Sequence, residues 1–101
     1  MLPAHVYIFS FEERFCKIGT SHDVEERRRT KINETGRMTL QWCYSELLPR
    51  GIAEEIETKC HTHFSQFRTY GEFFEITFDE ACVYLQSQGA KALTICREER
   101  K

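Results

Sequence analysis

Apolar and polar side chains alternate with a period of two over residues 4–11, which predicts a strand. Val6, Ile8 and Ser10 fall on one side of it, and Tyr7, Phe9 and Phe11 on the other. Both sides are largely apolar, so the strand belongs in the middle of a sheet. Glu12-Glu13-Arg14 makes a polar turn, and Phe15 to Gly19 returns as a second strand, giving a hairpin. Tyr7 and Lys17 share a side of that hairpin in one register, and the sequence does not fix the register.

The period changes after Gly19. Asp23 and Glu26 form an Asp-x-x-Glu start, related to the capping box, for a helix from about Val24 to Asn33. Its apolar stripe is thin, essentially Val24 and Ile32, so one side must be solvated or bind something. Gly36 closes the following loop. Met38 to Leu48 reads as a third strand with Met38, Leu40, Trp42 and Tyr44 on one face. After Pro49-Arg50-Gly51, a helix from about Ile52 to Gln66 places Ile52, Ile56, Cys60 and Phe64 at every fourth position, backed by Ala53. Tyr70-Gly71 is a turn, and Glu72 to Ile76 is a short extended piece. Thr77-x-x-Glu80 is a capping box opening a third helix to about Gln88, with Gly89 as its stop. Residues 90–96 read as a short strand and 97–101 as a charged tail. The expected class is α/β (α+β): a small, mainly antiparallel three-stranded sheet begun by an N-terminal hairpin and flanked by about three helices. There is no internal repeat, linker or low-complexity segment.

The chain has 101 residues, enough for one domain spanning 1–101. No apolar run is long enough to span a membrane, and the N-terminus lacks the regions of a signal peptide, so an intracellular, cytoplasmic location is expected. Five cysteines, scattered and without a CxxC, read as reduced thiols, four of them among apolar neighbours. A net charge of −2 excludes a strong general nucleic-acid binder. The basic residues are clustered nonetheless: Arg27-Arg28-Arg29 and Lys31, with Arg14, Lys17 and Arg37 near in sequence. Glu54, Glu55 and Glu57 gather elsewhere. A positive face on a mildly acidic domain suits transient contact with phosphates.

Four residues carry the candidate chemistry. Arg27 lies one turn inside a helix that starts beside a strand-ending glycine, and a guanidinium there can grip a phosphate with two parallel hydrogen bonds. The plain alternative is a solvated arginine on an exposed helix face. Glu72, between Gly71 and Phe73-Phe74, is held at a core edge, and a lone carboxylate with several waters can bind Mg²⁺. The alternative is a strand residue without a role. Tyr7 and Lys17 sit on paired strands, where a phenol beside a cation can take a proton from water or simply be core. Cys60 and His63 are spaced i, i+3 on a helix, but two further zinc ligands would have to come from distant Cys43, Cys82, His5 or His22, without a recognised spacing.

Val6-Tyr7-Ile8, Lys17-Ile18-Gly19, the stretch from Gly19 to Arg27, and Gly71-Glu72-Phe73-Phe74 occur in an order that resembles the GIY-YIG nuclease superfamily. The likeness is to a branch with lysine in place of the second-motif tyrosine, and it spans residues 4–76. Val6 stands where the first signature has glycine, and Lys31 where a histidine is often found. The distal asparagine has no clear counterpart, Gln86 and Gln88 being the nearest candidates. The resemblance implies a metal-dependent endonuclease that hydrolyses phosphodiester bonds in DNA, with RNA left open. Glu72 would hold one Mg²⁺ or Mn²⁺ on the scissile phosphate, and Tyr7 would be the general base. Arg27 would offset charge building on the phosphate, and Lys17 would assist Tyr7 or touch the phosphate. Arg28, Arg29, Lys31 and His22 would contact nucleic acid. One site nicks one strand, so duplex cleavage would need a homodimer, and a targeting partner would supply specificity. The alternatives are a catalytically inactive nucleic-acid-binding module, or a protein-interaction or accessory subunit on the same fold.

Overall fold

The expected hairpin forms in the computed structural model, which describes residues 2–12, 14–36, 38–39, 41–90 and 93–97. Its strands are β1 (His5–Glu12) and β2 (Phe15–Ser21), and the antiparallel register pairs Tyr7 with Gly19 and Phe9 with Lys17. Directly opposed residues share a face of the sheet. Tyr7, Phe9, Lys17 and Gly19 therefore stand on one side, which settles the point the sequence left open.

The remaining elements are α1 (Val24–Thr35), β3 (Gln41–Tyr44), α2 (Arg50–His63), β4 (Arg68–Tyr70), β5 (Phe73–Phe74), α3 (Phe78–Ser87) and β6 (Thr94–Arg97). The sheet order is β4-β5-β2-β1-β3-β6, and every neighbouring pair is antiparallel. The α+β class with three helices is as expected, but the sheet has six strands rather than three. β6 overlaps the short strand expected over 90–96 and β5 lies within the extended piece expected over 72–76, while β4 falls where only a turn was read; at two to four residues all are too short to show a period that would place them in the sheet.

Both caps read from the sequence are present. Asp23 accepts from the Glu26 amide at the start of α1, and Thr77 from the Glu80 amide at the start of α3, each at 3.1 Å. The first helix runs two residues beyond its expected end, to Gly36, whose φ of 69° closes it with an amide bond to Ile32 O. The second helix stops at His63, not Gln66, and a single 3₁₀ turn over Ser65–Phe67 leads into β4. The third strand is shorter than expected. It leaves the β1 ladder at Ser45, whose hydroxyl accepts from Val6 N, and touches it again only through the Ala4–Leu48 bridge. Met38 is exposed, and the expectations for Leu40 and Arg37 lie outside the described residues.

β1 is buried on both faces. Val6 and Ile8 pack with Ala53, Ile56 and Cys60 of α2 and with Phe78, Ala81 and Leu85 of α3. Tyr7, Phe9 and Phe11 pack with Trp42 and with Val24 of α1. Ile52 stays about half exposed (49%), although it was expected in the α2 stripe. Each four-residue step overshoots a 3.6-residue turn by about 40°, so Ile52 has rotated off the face that holds Cys60 and Phe64, and Ala53 takes its place. Cys16, Cys43, Cys60 and Cys82 are buried free thiols, and Cys96 is partly buried. No helix among the described residues is long and apolar enough to cross a membrane.

One glycine is required by packing. A Cβ on Gly19 would stand 2.5 Å from Tyr7 Oη and 2.7 Å from Tyr7 Cζ, and the Tyr7 ring is only 1% exposed. Gly19→Ala should therefore displace that ring and cost about 1–3 kcal/mol in urea unfolding, as overpacking of a core does. Adding Tyr7→Phe should recover part of the loss, because it removes the nearer of the two clashing atoms. An unchanged midpoint for Gly19→Ala would refute the close approach.

Candidate functional site

Lys17 anchors the site. It projects from the centre of β2 into the Tyr7 face and is 2% exposed. A buried ammonium needs acceptors, and it has two: Tyr7 Oη at 3.1 Å and a Glu72 carboxylate oxygen in an ion pair. Tyr7 reaches it from β1 through the hairpin register. Glu72 reaches it from the turn before β5, where Gly71 takes a φ of 56° and the Arg68 Nε donates to the Gly71 carbonyl. The turn is also tied to β2 by Ile18 N donating to Glu72 O at 3.3 Å.

Arg27 completes the group from the first turn of α1. Its Nε donates to Tyr7 Oη at 3.4 Å. That hydrogen bond raises the guanidinium pKa, so its charge is permanent. The phenol oxygen thus accepts from two cations, and the Arg27 terminal amino groups remain available for other acceptors. Tyr7, Lys17, Arg27 and Glu72, spread over 66 positions of the chain, meet in one place.

Opposing effects act on Glu72. Burial, the largest, works to raise its pKa. The hydrogen bond and charge of Lys17, with smaller contributions from His61 and Arg27, outweigh it and leave the carboxyl below its ordinary range. Glu72 is ionised at neutral pH.

The other basic residues of α1 are used differently. Arg28 lies over the Trp42 ring at 4.3 Å and pairs with Glu25 at 3.2 Å. Lys31 stands 6.0 Å from the Phe73 ring and pairs with Glu34 at 2.9 Å. Both face the sheet and are largely covered, so they pack the helix onto the Tyr7 face. Arg29 and His22 are exposed. Gln86 and Gln88 sit at the end of α3, whose buried residues pack on the opposite face of the sheet. His63 stacks on Tyr84 at 3.8 Å. Cys60 is fully buried, and burial pushes its thiol up to about 12.

Two residues that the sequence reading gave no part in the site stand next to it, Glu57 among them although it was expected away from the basic cluster. His61 bonds through Nε2 to the Ile18 carbonyl at 2.9 Å and packs on Phe74, holding α2 against β2 beside Lys17. Glu57, one turn earlier, is half-buried, and burial first and the Glu72 charge second raise its pKa. Their i, i+4 spacing, one position off the Ile56–Cys60 stripe, was the available cue.

Among the described residues, no three of His, Cys, Asp or Glu gather as a metal cluster. Glu72 offers a partly exposed carboxylate on the cationic side of the sheet. That donor set fits a hydrated Mg²⁺, which keeps several waters and takes one or two carboxylates plus substrate phosphate oxygens.

Comparison with curated proteins and with solved structures found no match. Comparison with protein families found one over residues 4–87, which takes in both hairpin strands, Arg27, Glu72 and all three helices. The chain belongs to the T5orf172 domain family.

Proposed function

We propose that this protein is a metal-dependent endonuclease of the GIY-YIG type that hydrolyses phosphodiester bonds in DNA. The T5orf172 domain is compatible with a nuclease-like or DNA-binding role. The observation that carries the reading is the shared oxygen of Tyr7: Lys17 and Arg27 both donate to it, and Glu72 is held on the same ammonium.

Each group has a part in such a reaction. Tyr7 acts as the base for the attacking water, its oxygen held between the Lys17 and Arg27 donors. Arg27 keeps Nε on Tyr7 and turns its amino groups to the non-bridging phosphate oxygens, where charge builds. Glu72 would hold the divalent cation, Mg²⁺ or Mn²⁺, which supplies charge neutralisation at the phosphate and the leaving oxygen. Lys17 orients both the phenol and the carboxylate from below.

One observation favours the inactive, nucleic-acid-binding alternative: Glu72 already carries an ammonium partner, so a metal must compete for it. Cleavage of single-stranded and nicked DNA, titrated with Mg²⁺ and Mn²⁺, decides between them. The expected outcome is metal-dependent nicking that disappears in Glu72→Gln. It should fall about 10²–10⁴-fold in Tyr7→Phe, the usual contribution of a general base. An inert wild type that still shifts DNA in a salt-sensitive, Arg27-dependent way would overturn the enzyme reading.

The same pair sets an acid limit on the fold. Glu72 has a lower pKa folded than its ordinary value of 4.5, so its stabilising contribution is present above that value and is lost as the pH falls through the folded one. Wild type should exceed Glu72→Gln in thermal midpoint at neutral pH, and the gap should close below about pH 4.5. A gap that stays constant down to pH 2 would show that the pair adds nothing.

A further inference from the structure

A trough runs from Arg27 along the start of α1 to the far side of β1. A cavity of about 210 Å³ lined by Ser21, His22, Asp23 and Arg27 adjoins one of about 270 Å³ lined by His22, Asp23, Glu25, His5 and Tyr44. The second ends on two rings that meet edge to face at 5.2 Å. Tyr44 is the direct cross-strand partner of Tyr7, so it stands one strand away, about 4.5–5.5 Å, on the same face. His5 is fixed beside it by Nδ1 on the Ser45 carbonyl at 2.6 Å.

The aromatic rings stand at one end alone. Arg27 provides the positive charge for a phosphate at the other, where Asp23 and Glu26 also line the wall. At the aromatic end, the walls are the rings and the carboxylates of Asp23 and Glu25, the first already capping α1 and the second already paired with Arg28. Carboxylates accept from the exocyclic amino groups of bases, and rings stack on any base. The geometry points to a base-stacking subsite on Tyr44 and His5 for the nucleotide next to the phosphate held by Arg27. The base there is unpaired, because stacking on a protein ring takes it out of the duplex. This assignment rests on the DNA-binding part of the reading above and names its substrate as single-stranded or locally opened DNA.

The test is binding without metal, in EDTA, followed by fluorescence anisotropy. A short single-stranded oligodeoxycytidylate is compared with an abasic chain of equal length, which has the same phosphates and no bases. Wild type should bind the base-bearing strand roughly tenfold more tightly, as expected for one stacked base. Tyr44→Ala should bind both strands with the affinity of the abasic one, whereas Tyr44→Trp should keep the preference. Equal wild-type affinity for the two strands overturns the subsite, as does equal weakening of both by Tyr44→Ala. Should Tyr44→Ala fail to fold, the wild-type comparison and Tyr44→Trp still decide. A base preference without cleavage in Mg²⁺ supports the subsite and defeats hydrolysis; cleavage without base preference does the reverse.

Discussion

A single buried ammonium holds the Tyr7 side of this molecule together. Lys17 stands at the centre of β2 with 2% of its surface exposed, where an unpaired charge would be costly. Its acceptors are a phenol from the neighbouring strand and a carboxylate from a turn more than fifty residues away. Folding therefore has to bring Tyr7 and Glu72 to Lys17, whatever else they do. The hairpin register and Gly19 deliver the phenol, and the Gly71 turn delivers the carboxylate. Site and fold are the same interaction seen from two sides.

Helix α1 follows from the same economy of charge. Its sequence is too polar to bury an apolar stripe, and only Val24 is fully covered. The stripe that meets the sheet is Val24, Arg27, Arg28 and Lys31, three of them cations. Two settle over the Trp42 and Phe73 rings, and the third bonds to the Tyr7 hydroxyl. Stems and ring faces replace leucines as packing material. The basic run is therefore mostly an internal feature, and the outward charge of the helix is smaller than its composition implies. That agrees with a net charge of −2.

Much of this was legible in the residues. The hairpin, both side-chain caps, the second and third helices and the free thiols follow from local patterns that tertiary packing reinforces. The extended pieces over 72–76 and 90–96 were legible as such, but their places in the sheet, and β4 altogether, were not, because strands this short are ordered only through ladder bonds to neighbours already in place. The Tyr7, Lys17, Arg27 and Glu72 set was named from motif order, but its meeting depended on a register that period-two patterning cannot choose. The packing of Arg28 and Lys31 was hidden, since their charge suggested contact with nucleic acid and only the aromatic surface beneath them explains their burial. Glu57 and His61 were hidden by the stronger apolar stripe beside them.

The two faces of the sheet explain why an opening exists where it does. α2 and α3 both cover the Val6–Ile8 side, with small residues and thiols that let them approach closely. α1 alone covers the Tyr7 side, and it begins near Gly19 rather than crossing the whole sheet. β3 is therefore roofed at Trp42, under Arg28, while Tyr44 and His5 at its other end keep partly exposed rings. A larger apolar residue in place of Arg28 could serve the packing, but it could not pair with Glu25 at the edge of the trough. The arrangement thus keeps a charged helix start, two bare rings and a guanidinium along one continuous surface, with the buried ammonium fixing its inner end.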